Sequence, residues 1–328
     1  MRKTVSVSVV ICTCDRPDDL KATLESLVRV AVPEGVEAEL LVVDNGAEAS
    51  AADIEALVRG ERLPSLPVRY VREPKRGLAY ARNRGMAETQ GELLLMTDDD
   101  VRPDPGWLSG MCAPLLAGKA DYVAGGIRLS PEVRQAWMEP VHRALLASTQ
   151  DIREPSELPC MIGANMAFRR AVLQKVPAFD VEIGAGTPYG GGEEALFSFQ
   201  LQEAGFRRAD ALDIQVVHCC DIARLERKAF RQRMERYGKE LAYRVYHWEH
   251  KPVGHVRRNI VRSYLKLVQT RRQAARSWLG KGMDPREMKA IEVYSFYRQY
   301  AKERSRPRFY DKCGLVKRHG LLPNGRTA

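Results

Sequence analysis

Four apolar runs in the first hundred residues set the strongest limit on the fold. They are VSVVICT (7–13), AELLVVDN (38–45), PVRYVRE (67–73) and GELLLMTD (91–98), rich in β-branched residues and mostly without the strict alternation of a half-exposed strand. Helical periods lie between them. Leu20, Leu24, Leu27 and Val28 recur along residues 17–29, with Pro17 suited to a first turn, and GLAYARNRGMAETQ supplies a second helix. Buried strands alternating with helices predict an α/β fold with a mostly parallel sheet covered by helices. Such sheets bind ligands beyond the carboxyl ends of their strands. The first run ends in Thr13, Asp15 and Arg16, the second in Asp44 and Asn45, and the fourth in Asp98, Asp99 and Asp100. Any one set suits a turn; three sets at one edge point to a site.

Beyond residue 121, YVAGGIRL predicts another strand, 130–160 is irregular, and CMIGANMAFRR reads as a strand entering a helix near Arg170. A Gly-rich loop then leads into a helix over 193–204. The net charge of +10 is uneven: residues 221–328 hold 28 Lys and Arg against 10 Asp and Glu, and the rest of the chain is acidic. This predicts an α/β part over 1–222 and a basic α-helical region over 223–328, the latter with aromatics such as Tyr243, Tyr246, Trp248, Tyr264 and Trp278. The basic region suits an anionic membrane surface, nucleic-acid phosphates or plain solvation. No nucleic-acid-binding motif is present, so a nucleic-acid partner is not expected.

The opening MRKTVSVSVVICTC has the basic and apolar parts of a secretory leader. Serines interrupt it, and DRPDD stands where a small-residue cleavage site belongs, so it predicts a first strand and a cytoplasmic chain. No apolar run is long enough to cross a bilayer. Seven cysteines without a CxxC pair predict reduced core thiols, ahead of a zinc site built from Cys219, Cys220 and His218.

Three adjacent aspartates repel one another, and a divalent cation relieves that repulsion. Mn²⁺ or Mg²⁺ takes hard oxygen ligands and, held by one or two carboxylates, keeps positions for a diphosphate and water. An acidic turn accounts for one of the three but poorly for all. A second carboxylate pair, Glu193 and Glu194, opens the helix after the Gly-rich loop, where either a general base or simple helix-end charge preference would put it.

In order and spacing, VVICTCDRPDDLKATLESL, LLVVDNGA, RGLAYARNRGMAETQGELLLMTDDDV, GANMAFRR and GGGEEALFSFQLQEAG resemble the family 2 glycosyltransferases, and among them the succinoglycan-type exopolysaccharide enzymes. The resemblance covers about residues 5–240. It implies a GT-A, Rossmann-like fold and a metal-dependent, inverting transfer of a sugar from a nucleoside diphosphate, UDP above all. The acceptor would be a glycan or a lipid-linked glycan, on the inner face of the membrane if the basic region attaches there. It implies that Thr13 and Arg16 flank the nucleotide, Asp44 reads the base, and Arg76, Gly77 and Arg82 close over the nucleotide, with Arg82 on the diphosphate. Asp98 would meet the ribose, Asp100 the metal, and Asp99 would support either. His218 matches a histidine before the final helices that contacts metal or diphosphate. Glu194 takes the place of the base. Here the chain departs from the family, with Glu for the usual Asp and Gln200 for a common arginine, which leaves Glu193 and Glu194 both open. Trp137 and Tyr189 are candidates for stacking on acceptor sugars. The rival reading is a catalytically degenerate GT-A fold, or a basic membrane- or nucleic-acid-binding protein.

Overall fold

The computed structural model describes residues 4–61, 63, 66–273 and 282–318. The basic start of the leader-like segment (1–3) and Trp278 lie outside them. Strands β1 (Val5–Thr13), β2 (Val36–Asp44), β3 (Val68–Arg72), β4 (Leu93–Asp98), β5 (Val101–Pro103), β6 (Tyr122–Leu129), β7 (Asn165–Arg169) and β8 (Arg208–His218) form one sheet in the order β3-β2-β1-β4-β7-β6-β8-β5. β1 to β4 are mutually parallel, as are β6 and β8, whereas β7 and β5 run antiparallel to their neighbours. The sheet is therefore mixed toward one edge.

β1 is central because its residues are apolar on both faces. Val9 and Ile11 join one core with Leu20, Leu24 and Leu27 of α1 (Pro17–Leu27), Ile54 of α2 (Glu48–Gly60) and Trp107 of α4 (Trp107–Leu116). Val10 and Cys12 join the opposite core with Ala79 and Met86 of α3 (Leu78–Glu88) and Phe197 and Leu201 of α6 (Glu193–Glu203). Burying such aliphatic side chains contributes roughly 1.5–3 kcal/mol each. The register then levels the strand ends: Thr13 pairs with Asp44, and Cys12 with Asp98.

The predicted strands and helices of the first hundred residues form with ends shifted by a few residues. Helices α2 and α4 and strand β5 were not anticipated: α2 is rich in alanine with few core positions, α4 contains Pro114, and β5 is three residues long. The irregular stretch holds α5 (Pro140–Leu145), and at Arg170 the chain enters a 3₁₀ turn, Arg170–Gln174, in place of an α-helix.

The basic region folds into α7 (Arg227–His247), α8 (Val256–Gln273) and α9 (Pro285–Glu303). Phe230 and Met234 pack with Leu267, Met288 and Ile291. Tyr243, Trp248 and Tyr310 share a core with Ile183, Tyr189 and Leu196, so the helices lean on the segment that precedes α6 and on α6 itself.

Asn165 ties the antiparallel part of the sheet together. Its Oδ1 accepts from Trp107 Nε1 at 2.8 Å, and its Nδ2 donates to Gly126 O at 2.8 Å and Ile214 O at 2.9 Å, all fully or largely buried. Asn165→Ala would strand three polar groups away from water. We expect a loss of about 2–4 kcal/mol in urea unfolding; an unchanged midpoint would mean that water replaces the amide.

Candidate active site

The carboxyl ends of β1, β2 and β4 meet in a cavity of about 340 Å³. Thr13 closes β1, and its hydroxyl donates to Asp99 Oδ2 at 2.7 Å. Three residues on, Arg16 spans the acidic turn after β4, 2.5 Å from Asp99 Oδ1 and 2.7 Å from Asp100 Oδ2. Asn45, at the end of β2, accepts from Gly77 N at 2.7 Å and donates to the carbonyls of Glu73 and Lys75, fixing the loop before α3. Arg76 on that loop reaches Asp15 at 2.9 Å across the cavity mouth.

The second carboxylate pair comes from the first turn of α6. Glu193 is buried and bound at 2.7 Å by Arg82 of α3, which also lies 3.5 Å from Asp98. Burial, with Glu194 beside it, pushes the Glu193 carboxyl up to about 8 despite Arg82. Glu194 lines the same cavity half-buried; its Oε2, like Oε2 of Glu193, is shielded from water, and no cation pairs with Glu194 among the described residues. Burial also raises Asp98, although it sits at the cavity wall with 28% of its side chain still open. Asp99, fully buried beside Asp100 and opposed by Arg16, is raised to about 7. Burial works against the Asp100 carboxylate too, but His218, Arg16 and Arg224 outweigh it and hold the group well below the usual carboxylate range.

The remaining wall comes from farther along the chain. His218 ends β8; its Nδ1–H donates to Leu146 O at 2.8 Å, which turns Nε2 toward Asp100 Oδ1 at 3.4 Å. Arg224, Arg233 and the turn Leu145–Ala147 complete the lining.

Thr13, Arg16, Arg76, Gly77, Arg82, Asp98, Asp100, Glu193, Glu194 and His218 are thus brought together. Four other candidates are not. Asp44 is fully buried, its carboxylate taken by Tyr70 at 3.0 Å, Arg72 at 3.2 Å and Gly46 N at 2.8 Å, and it does not line the cavity. Asp99 lies behind Thr13 and Arg16 rather than on the cavity. Trp137 packs edge-on against His142 and Phe230 in an apolar cluster. Tyr189 points its hydroxyl into α9, donating to Glu303 at 2.5 Å. Arg82 lines the cavity, but its guanidinium is already committed to two carboxylates. Asn45 belongs to the strand-end sets that pointed to a site, without an assigned role. Arg224 and Arg233 were not singled out, being hidden in a region whose charge looks like a solvated surface.

Asp100 Oδ1 is buried and lies 3.4 Å from His218 Nε2. The Asp100 carboxylate, with Asp98 nearby, supplies the hard oxygen donors that Mn²⁺ or Mg²⁺ takes, and His218 stands beside them. Among the described residues no three acidic, His or Cys side chains converge closely enough to hold an ion by themselves. A cation there would need further oxygens, such as those of a bound phosphate compound and water.

A family model described as glycosyl transferase family 2 matches residues 8–177. Succinoglycan biosynthesis protein ExoM of Rhizobium meliloti (strain 1021) is 34% identical over 128 residues, 38% of this chain and 40% of that protein. The uncharacterized glycosyltransferase YwdF of Bacillus subtilis (strain 168) is 27% identical over 181 residues, 55% of this chain and 63% of that protein. The chain therefore spans less than two thirds of the length of these relatives. Among solved structures, the mannosyltransferase PcManGT from Pyrobaculum calidifontis, in complex with GDP-Man and Mn²⁺, has a TM-score of 0.53 at 16% identity, covering 89% of this chain and 69% of that one. S. aureus TarS 1–349 in complex with UDP has a TM-score of 0.50 at 14% identity, covering 92% and 91%. At these identities the likeness is one of fold, the GT-A α/β arrangement. With the family model spanning more than half of the sequence, the chain belongs to glycosyltransferase family 2.

Proposed function

We propose that the protein transfers a sugar from a nucleoside diphosphate of the UDP type to a hydroxyl of a glycan or lipid-linked acceptor, with inversion. One observation carries this reading: Glu194, with an unpartnered buried oxygen, shares a single cavity with Asp98, Asp100 and His218. Inversion requires a base on the face of the sugar opposite the departing diphosphate. Glu194 is the better base of the two glutamates because Glu193 is held by Arg82. Thr13, Arg16, Arg76 and Gly77 flank the nucleotide, Asp98 takes the ribose, and Asp100 with His218 would hold the divalent cation. When bound, that cation offsets charge on the leaving diphosphate. Arg82 acts chiefly by fixing Glu193 and Asp98. Glu194 takes the proton of the acceptor hydroxyl as its oxygen attacks the anomeric carbon; the C1–O bond to the diphosphate breaks and its electron pair leaves on the phosphate oxygen.

We also assign residues 1–222 to sugar transfer and 223–328 to an appended basic region that meets an anionic membrane surface. None of the described helices is long and apolar enough to cross a membrane. Supporting a surface contact, α8 exposes Val261, Tyr264 and Leu265 at 50–60% among exposed Arg257, Arg258, Arg262 and Lys266.

Glu194→Gln should lower transfer by about 10²–10⁴-fold while UDP binding, read by calorimetry, stays within a few-fold; retained transfer would move the role to Glu193. Chelation with EDTA should abolish turnover of UDP-sugars and Mn²⁺ should restore it, whereas undiminished turnover in EDTA would remove the cation from the reaction. Leu265→Glu should weaken sedimentation with phosphatidylserine vesicles and leave zwitterionic controls unchanged. Equal sedimentation of both forms would count against α8 as the contact.

A further inference from the structure

Two successive carbonyls of the turn after α5 hold side chains of the cavity: Leu146 O accepts from His218, and Leu145 O accepts from Arg233 of α7. The turn is made by Ala147 at φ 66°, in the left-handed region that a residue with a Cβ seldom occupies. Arg16, Arg76 and Arg82 each have a carboxylate within 3 Å. Arg224 has Asp100 at 3.7 Å. Arg233 also lines the cavity, half-buried, and has no carboxylate partner among the described residues. Burial, Arg224 and Arg236 pull its pKa down to about 10. A guanidinium shielded from water, pressed by like charges and given one carbonyl is unfavourable until an oxyanion arrives.

Arg233 stands between two sides of the cavity: Arg224 beside it reaches Asp100, whose charge it also feels, while Arg236 is set toward the loop that precedes α6. Arg236, one turn on from Arg233, lies with its stem where a Cβ on Gly190 would be. Gly190 and Gly191 lead directly into the first turn of α6, so α7 and Glu194 build the same wall. Arg16, Asp98, Asp100 and His218 are grouped at the strand ends.

We propose that Arg233, flanked by Arg224 and Arg236, is an anion subsite for the acceptor, receiving a phosphate or carboxylate that the acceptor carries. This rests on the reading of the Glu194 wall as the acceptor side. The turn Leu145–Ala147 is then a positioning device that sets His218 for the donor side and Arg233 for the acceptor from adjacent carbonyls.

The test is calorimetry on the full chain, loaded with saturating UDP and Mn²⁺ and titrated with inorganic phosphate, glucuronate or glucose. Phosphate and glucuronate should bind the loaded protein, and glucose far more weakly. Phosphate binding alone would assign the subsite to a phosphorylated acceptor, and preferential glucuronate binding to an acidic sugar. Arg233→Ala should weaken anion binding about tenfold or more, with UDP affinity shifted less than about threefold. Arg233→Lys, which keeps the charge without the planar fork, should retain part of it and serves if the alanine variant fails to fold. Competition between phosphate and UDP, or a parallel loss of UDP affinity in Arg233→Ala, would assign Arg233 to the donor and overturn the proposal. Absence of anion binding would overturn it as well. Failure of the wild type to bind UDP would count against the transferase reading alone; phosphate titrated without UDP, lost in Arg233→Ala and indifferent to Mn²⁺, would still uphold the anion subsite.

Discussion

Arg82 reaches from α3 to the carboxylates at two sides of the cavity, 2.7 Å from Glu193 and 3.5 Å from Asp98, with only 2% of its surface exposed. Its burial outweighs nothing by itself, since burial disfavours the cation; the surrounding Glu193, Asp98 and Glu194 charges raise its pKa. Removing one member of such a buried pair typically costs about 3–5 kcal/mol because the partner is left charged and dry. Gly163 makes the arrangement possible, as a Cβ there would collide with the guanidinium. The distance between the strand-end aspartates and the glutamates of α6 therefore depends on one side chain.

The basic region supports the same helix from the other side. Glu240 of α7 is buried against Gly192, which at φ 93° caps α6 where a side chain would strike Glu240. Burial, with Glu194 nearby, raises Glu240 to about 7 even though Arg244 opposes it. Ahead of α6, Asp180 accepts from Tyr243 at 2.5 Å, Tyr310 at 2.8 Å and Lys317 at 2.8 Å, and Tyr189 is tied to Glu303, itself 3.0 Å from His247. The Gly-rich loop is thus anchored through its neighbours to α7, α9 and the segment beyond. Part of the +18 imbalance is consumed in these pairs, and another part, at Arg224 and Arg233, faces the cavity instead of solvent.

Much of this was legible in one dimension. Apolar runs without alternation identified β1, β2 and β4, and the TDDD turn and the GGEE helix start named both carboxylate groups, because strand periodicity and ionisable side chains are local properties. Trp137 and Tyr189 misled because an aromatic has the same sequence appearance whether it stacks on a sugar or fills a core. Nothing local announces that Tyr70 and Arg72 will occupy the oxygens of Asp44.

The sequence by itself determined the α/β class, the ends of the first strands, the acidic turn and the family. The strand ends and the acidic turn follow from residue types at local spacing, and the class and family from the order of such segments along the chain. Only the tertiary structure decided which glutamate Arg82 holds, that Arg82 joins two acidic clusters, and that two arginines of the basic region enter the cavity. Those outcomes depend on side chains more than a hundred residues apart, such as Arg82 and Glu193, sharing a place too dry for either charge to stand alone.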